Sequence, residues 1–270
     1  MNKQKKTKRK TSKTQKTSKT QKTINTKTKI QTILKQNKPK IIYNTQFLVK
    51  QEKAAAKKQG KGFGAKSIKE EVDSCISFLT NKPKIFIDVG AHKGMYTKEV
   101  LRQIPDLECY LFEPSPANTE ILKTAFSNLH NVNISTNALS NITGKQKIYF
   151  PTPGSELTSL THRRLDHFHM YMDYSAEIET TRFDDFWEKR KLHKSQKTEK
   201  EKPNDKNDDT KNNIIDYVKI DVEGHELNVL EGFGKLINNI GLIQFEFGGA
   251  NIDTKTYFQD FWYYFTSLDI

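Results

Sequence analysis

The sequence lacks the features that mark a membrane protein or a disulfide-bonded secreted domain. Only two cysteines occur, Cys75 and Cys109, and they lie in apolar runs without the spacing of a disulfide framework or a zinc site. No apolar run approaches the roughly 20 residues that cross a bilayer, and the N-terminus has no apolar segment of signal-peptide length. We therefore expect a soluble, intracellular protein, cytoplasmic rather than secreted.

Hydrophobic residues are also scarce, at 34% of 270 residues, so we expect part of the chain not to fold. Acidic residues are missing from residues 1–51, which hold 16 of the 45 lysines and arginines. The net charge of +13 therefore comes from this segment. We interpret residues 1–51 as a disordered basic tail, which serves solubility or attracts nucleic acid, anionic lipid or an acidic partner.

The remaining residues, 52–270, are expected to form one domain with a charged disordered insertion at about 189–213. Apart from this insertion, short β-rich runs alternate with helical periodicity, which is typical of a mostly parallel sheet flanked by helices. We predict five main strands at 84–89, 108–113, 132–136, 216–222 and 242–247, and an additional strand at 145–150. Helical faces are predicted from these apolar residues: Ile68, Val72, Cys75, Ile76 and Leu79; Val100, Leu101 and Ile104; Ile121, Leu122, Ala125, Phe126 and Leu129; Leu227, Leu230, Phe233 and Leu236 within 225–237; and Phe258, Phe261, Trp262, Phe265 and Leu268.

A glycine-containing turn follows the first predicted strand, with the pattern D-x-G-x-x-x-G from Asp88 through Gly90 to Gly94. Turns of this kind place backbone amides and a helix N-terminus beside a ligand. A dinucleotide site would instead show G-x-G-x-x-G, with glycine in place of Asp88. The carboxylate suits a cationic ligand such as S-adenosylmethionine, which carries a sulfonium and an amino group but no phosphate. The alternative is that Asp88 only caps the turn.

Glu113 lies at the end of the second predicted strand, immediately before Pro114. An acid at this place can accept hydrogen bonds from the hydroxyls of an adenosine ribose. Two acids at the ends of adjacent strands therefore strengthen the prediction of a nucleoside cofactor.

The segments IDVGAHKGMYT, FEPSP, NALS, TTRFDDF and KIDVEGHELNVLEG occur in the order seen in FkbM-type methyltransferases, which this chain resembles over about 85–247. The resemblance implies a class I methyltransferase (Rossmann-like) fold, S-adenosyl-L-methionine as cofactor, and methylation of a hydroxyl on a sugar or small molecule. The implied cofactor-binding residues are Asp88, Gly90, Ala91, Gly94 and Glu113, together with Asn137, Ala138 and Leu139 beside the adenine. Asp221 and Glu223 match the acids that follow the fourth strand.

Asp221 is also a candidate catalytic residue on independent grounds, because it ends a buried strand at the edge where open α/β sheets bind ligands. Its carboxylate could hold the acceptor hydroxyl, accept its proton, or bind a divalent metal with Glu223 or another acid. Glu223 could equally be a helix-entry charge. Glu246 ends the fifth strand on the same edge and is either a third catalytic candidate or a solvated strand end.

Several basic residues are weaker candidates. His92 and Lys93 lie in the glycine turn and His225 follows Gly224, where each could face a substrate or be an ordinary turn residue. A dense basic patch, which would suit an anionic or sugar-bearing substrate, is formed by His162, Arg163, Arg164, His167 and His169. Its spacings match no common metal frame, so a metal site there is not favoured.

Class I methyltransferase sheets close with an antiparallel pair after the fifth strand, and this sequence ends at Ile270 after one aromatic helix. We therefore expect the sheet to lack its last two strands. Three functions remain open. They are methylation of a small-molecule or glycan acceptor, methylation of an RNA ribose with the tail holding phosphates, and a cofactor-binding module without activity.

Overall fold

The computed structural model describes residues 67–197 and 215–270, with the backbone alone described for 191–197. Of the two compact units, Met1–Ala54 and Ala55–Ile270, only the second contains described residues. The expected basic tail at 1–51 therefore lies outside the described part of the chain. So does most of the charged insertion.

The described residues alternate between helices and strands, as the sequence predicts. The strands are β1 Ile85–Val89, β2 Glu108–Phe112, β3 Val132–Ser135, β4 Ala138–Leu139, β5 Gly144–Phe150, β6 Tyr174–Thr181, β7 Ile215–Ile220 and β8 Ile240–Phe245. The α-helices are α1 Ile68–Phe78, α2 Met95–Gln103, α3 Pro116–Ala125, α4 Phe183–Lys197, α5 Glu226–Gly232, α6 Gly249–Thr254 and α7 Phe258–Ser267, and Asp166–Phe168 and Gly234–Asn239 are 3-10 helices.

The main sheet has five strands in the order β3-β2-β1-β7-β8, and every neighbouring pair is parallel. The chain moves outward from β1 to β3 and then returns to β7 on the other side of β1. This reversal creates a switch point between β1 and β7, where doubly wound sheets bind ligands beyond the carboxyl ends of their strands. The predicted fold class is therefore confirmed.

The sheet is buried on both faces, which explains its nearly continuous apolar strands. Phe86 of β1 packs in one cluster with α1, α2 and α3, whereas its neighbour Ile87 packs in the other cluster with α4, α5 and α7. Successive side chains of a strand point to opposite faces, so β1 contributes to both cores.

A second sheet of three strands, in the order β4-β6-β5, was not expected from the sequence. Its central strand β6 reads YSAEIETT, with no apolar run, and it pairs antiparallel with the predicted strand β5. Its exposed and buried residues alternate only towards its end, around Ile178 and Thr180. Hydrophobic periodicity therefore did not predict this strand.

Several local expectations were wrong. Helix α3 buries Leu122 but leaves Ile121 and Ala125 exposed, and Leu129 lies beyond its end. Helix α3 is short and presents one narrow face to the sheet, so the adjacent apolar positions remain in solvent. Likewise α7 buries Phe261 and leaves Phe258 and Trp262 exposed.

Two segments also differ in their backbone. The helix expected over 225–237 ends as α5 at Gly232 and continues as a 3-10 helix, because Gly234 takes a positive φ of 53°. Residues 189–197, expected to be part of a loop, continue helix α4 instead. Among the described residues no helix combines the length and apolar character needed to cross a membrane.

Candidate functional site

The candidate site lies at the switch point, where the turn after β1 meets the turn after β7. The backbone amide of Asp221 donates to the carbonyl of Val89 at 3.0 Å, and the amide of Gly90 donates to the carbonyl of Phe112 at 2.9 Å. These bonds extend the sheet ladder by one residue. The first bond places the turn after β7 beside the turn after β1, and the second joins the turn after β1 to β2.

The two glycines of the first turn are required by close packing. Gly90 has a φ of 76°, and a Cβ there would lie 1.9 Å from the carbonyl oxygen of Asp221. Gly94 has a φ of 75°, and its Cβ would lie 2.5 Å from the Phe126 ring. Ala91, between them, is buried. The two glycines thus allow the turn to pack against both β7 and α3. Such a close approach of the backbone was the role predicted for them.

Asp88 is fully buried rather than open to a ligand. Its Oδ2 accepts a hydrogen bond of 2.5 Å from the Thr97 hydroxyl, and its Oδ1 lies 3.4 Å from the Nζ of Lys219. The Oδ1 atom has no hydrogen-bond partner of good geometry. Asp88 therefore offers no exposed oxygen to a ligand, and its charge lies beside Lys219.

Lys219 is the principal site residue that sequence analysis missed. It faces Asp88 across the β1–β7 pair and is almost fully buried. Its ammonium donates to the carbonyl of Gly90 at 3.2 Å and lies 3.3 Å from Oδ2 of Asp221. Burial lowers the pKa of Lys219, but Asp221 and Asp88 raise it further, so it lies above its usual value and the side chain is charged.

Glu113 joins the turn after β1 to the turn after β2. Its Oε2 accepts the amide of His92 at 2.8 Å, and its Oε1 accepts the amide of Ser115 at 2.9 Å and the side-chain amide of Asn118 at 3.4 Å. Burial raises the pKa of Glu113, whereas the Ser115 and His92 amides oppose that rise. The pKa of Glu113 therefore lies above its usual value. Oε1 takes two of these hydrogen bonds and Oε2 takes one, so one acceptor site of Oε2 is left by these donors.

The segment Asn137, Ala138 and Leu139 leads into and forms β4. Asn137 is half-buried, whereas Ala138 and Leu139 are buried in hydrophobic clusters. Their backbones pair with Thr180 and Thr181 of β6. Of the three predicted adenine neighbours, only Asn137 keeps a side chain at the surface.

The three predicted catalytic acids come together. Asp221, Glu223 and Glu246 each offer a carboxylate oxygen, and these oxygens lie within 4.8 Å of one another. Burial raises the pKa of Asp221, but Lys219 and a hydrogen bond from Glu246 lower it more, so it lies below its usual value. Burial and then the Asp221 carboxylate raise the pKa of Glu246. The pair therefore keeps its proton on Glu246 and its charge on Asp221.

These three acids are close enough to share a cation, and they are the group of described residues most suited to a metal. Exposed acidic clusters are common without an ion. The ammonium of Lys219 already supplies a positive charge 3.3 Å from Asp221. We therefore assign no metal to this cluster.

Glu223 has a second partner, because it forms an ion pair with Arg163, whose Nε also donates to Oδ2 of Asp253 at 3.1 Å. Burial raises the pKa of Glu223 to about 7, although Arg163 opposes this. Arg163 itself is 7% exposed. The predicted basic patch is therefore divided, since Arg163 is paired in the interior while Arg164 is exposed and lies 3.8 Å from Asp166.

The three histidines of the predicted patch, His162, His167 and His169, are exposed. Among the candidates in the turns, Lys93 is also exposed. His92 places its Nε2 3.1 Å from the carbonyl of Gly154, and His225 places its Nε2 3.0 Å from the Ser140 hydroxyl. Both histidine rings therefore have a protein partner, which favours ordinary turn residues over substrate contacts.

Residues 206–269 match the methyltransferase FkbM domain. No curated protein matches the sequence. Similar solved structures include coclaurine N-methyltransferase bound to N-methylheliamine and SAH, with 18% identity, a TM-score of 0.23, and coverage of 26% of this chain and 21% of that chain. Human N-acetylserotonin methyltransferase in complex with SAM shows 17% identity, a TM-score of 0.21, and coverage of 26% and 22%.

The chain thus spans about a fifth of the length of either solved structure. The fold assignment rests on the strand order described above, and the similarity to the FkbM domain is limited to the segment that contains β7, the acidic turn and β8. Over residues 206–269, the resemblance to FkbM-type methyltransferases inferred from the sequence is confirmed.

Proposed function

We propose that this protein is an S-adenosylmethionine-dependent methyltransferase that methylates a hydroxyl oxygen of a sugar or small molecule. The observation that carries this proposal is the meeting of Asp88 and Asp221 at the switch point, with a glycine turn between them and Lys219 joining both carboxylates. Ligands of open α/β sheets bind at this edge. The family match over the acidic turn supports the same chemistry.

The residues present fit this cofactor. S-adenosylmethionine supplies an electrophilic methyl group on a sulfonium cation and brings no phosphate. Asp221, Glu223 and Glu246 lie together at the strand ends, and two cations, Lys219 and Arg163, are close enough to oppose them. With Asp88 beside Lys219 and Asp253 beside Arg163, the acids of this edge outnumber its two cations, which favours a cationic ligand over a pyrophosphate.

Glu113 is suited to a ribose hydroxyl through the acceptor site that remains on its Oε2. The bonds from His92 and Ser115 hold the carboxylate in one orientation. A preorganised acceptor of this kind costs less entropy when a ligand binds. Glu113 thus combines a structural role with the predicted binding role.

Asp221 is suited to the acceptor because it is the ionised acid of its pair and its side chain is 43% exposed. It would hold the acceptor hydroxyl in line with the methyl group. The acceptor oxygen forms a bond to the methyl carbon, the carbon–sulfur bond breaks with its electron pair on sulfur, and the hydroxyl proton passes to the carboxylate. Since the pKa of Asp221 is low, orientation contributes more than proton removal.

Calorimetric titration of the full chain with S-adenosylhomocysteine, with a dinucleotide as control, tests the cofactor assignment. We expect binding of the first ligand alone. Asp88→Ala and Glu113→Ala should each weaken this binding, whereas Asp221→Ala should mainly lower turnover. Unchanged binding in both of the first two variants contradicts the cofactor site.

The acceptor class is tested by incubating the protein with methyl-labelled cofactor and a panel of sugars, small hydroxyl compounds and RNA. Label on a sugar or small molecule supports the proposal. Label on RNA that is lost when residues 1–51 are deleted supports the RNA alternative. Cofactor binding without transfer to any acceptor supports the inactive module.

A further inference from the structure

The buried ammonium of Lys219 is an unusual feature of a site meant for a cation. It has three oxygen neighbours at 3.2 to 3.4 Å, from Gly90, Asp221 and Asp88, and its Nζ lies 5.5 Å from the centre of the Tyr96 ring. Burying a charge is costly unless it is paired, and here both partners are residues of the candidate site. Lys219 thus connects the cofactor acid to the acceptor acid.

The position of Lys219 follows from the sheet register. Asp88 and Lys219 are neighbours across the parallel β1–β7 pair, and Asp221 follows two residues later on the same side of the strand. Alternate residues of a strand share one face, so Lys219 and Asp221 can approach each other and Asp88 at once. The ammonium therefore sits directly beneath the edge where the ligand would bind.

We propose that Lys219 is a positioning residue that orients Asp88 and Asp221 and sets the net charge felt by the cofactor. This inference rests on the proposed function. With Lys219 in place, the group of Asp88, Lys219 and Asp221 carries one net negative charge. When Lys219 is replaced and both carboxylates stay ionised, the group carries two negative charges, and a sulfonium cation would be held more tightly than its neutral thioether product.

The charge-setting role is tested by comparing the affinities of the full chain for S-adenosylmethionine, which is a sulfonium, and S-adenosylhomocysteine, which is neutral. In Lys219→Met the ratio of the two dissociation constants should shift roughly tenfold in favour of the sulfonium ligand. A purely structural lysine would change both affinities in parallel and leave this ratio unaltered.

A second pair of variants removes the problem of an uncompensated buried charge. Asp88→Asn alone leaves the group neutral, and the double variant Asp88→Asn/Lys219→Met leaves it with one negative charge, as in the wild type. The ratio of the two dissociation constants should therefore favour the sulfonium ligand roughly tenfold more in the double variant than in the single variant. This comparison replaces the first if Lys219→Met does not fold.

The wild-type measurement distinguishes a failure of this inference from a failure of the proposed function. If the wild type binds neither ligand, the proposed function fails before any variant is measured. If the wild type binds both and the ratio is unchanged in Lys219→Met and in the Asp88→Asn pair, the charge-setting role of Lys219 is overturned while the cofactor assignment stands.

Discussion

Oε2 of Glu226 accepts a hydrogen bond of 3.1 Å from the side-chain amide of Asn251, and both residues are almost fully buried. The other carboxylate oxygen of Glu226 accepts the amides of Val222 and Gly224 at 3.1 and 3.0 Å. Asn251 in turn accepts the amide of Gly248 at the start of α6. Glu226 therefore holds the acidic turn in shape and ties it to α6.

Replacing Glu226 by alanine should destabilise the protein by about 3 kcal/mol, because three buried donors lose their acceptor. Chemical denaturation measures this change. The matched control is Glu231→Ala on the same helix, where the exposed side chain should cost about 0.5 kcal/mol or less. Equal losses of stability in the two variants would show that the buried hydrogen bonds of Glu226 stabilise the protein no more than an exposed glutamate does.

Gly90→Ala should cost about 3 kcal/mol of stability and abolish cofactor binding, since the φ of 76° and the 1.9 Å approach to Asp221 both exclude a side chain. Thermal unfolding and titration with S-adenosylhomocysteine measure the two effects. Gly248→Ala is the control, because nothing lies within 4 Å of its Cβ position. A Gly90→Ala variant as stable as Gly248→Ala contradicts the close packing of the two turns.

The adjacent arginines Arg163 and Arg164 should lose very different amounts of stability on the same change. Arg163→Met leaves Glu223 and Asp253 without their shared cation and should cost about 3 kcal/mol. Arg164→Met should cost about 0.5 kcal/mol or less, because its side chain is 86% exposed. Denaturation midpoints compare them, and a larger loss for Arg164 would refute the buried position of Arg163.

Stability should also depend on pH through His225, whose pKa is lowered by burial from 6.5 to about 4. The unfolded chain gains a proton on this residue between pH 6.5 and 4 while the folded state does not, so the contribution of His225 to stability falls as pH drops through that window. At about 1.4 kcal/mol for each pKa unit, the loss reaches about 3 kcal/mol.

Unfolding of the wild type and of His225→Asn at pH 8 and pH 4 checks this expectation. The variant has no titratable group at position 225. The free energy of unfolding of His225→Asn, relative to that of the wild type, should therefore be higher at pH 4 than at pH 8. Ser140→Ala removes the hydroxyl beside the ring and keeps the histidine, so it should retain the wild-type dependence on pH. Parallel pH curves for the wild type and His225→Asn would contradict the buried neutral ring.

The strands of the main sheet could be predicted because their signal is local. β1 and β7 are short, mostly apolar runs bounded by polar turns, and an acid that the sequence already marked as a candidate lies within one residue of the end of each strand. Strand β6 could not be predicted in this way. Its residues are stabilised by pairing with β5 and β4, and half of them face solvent.

The sequence by itself determined the order of the five main-sheet strands, the glycine turn at Gly90, and the acids at the strand ends. These follow from periodicity and from the backbone demands of single residues, which neighbouring positions reveal. The tertiary structure alone decided that Lys219, Arg163 and Glu226 are buried, since a charged side chain is normally exposed. Each is held inside by partners from other elements or turns, which only the folded chain brings within reach.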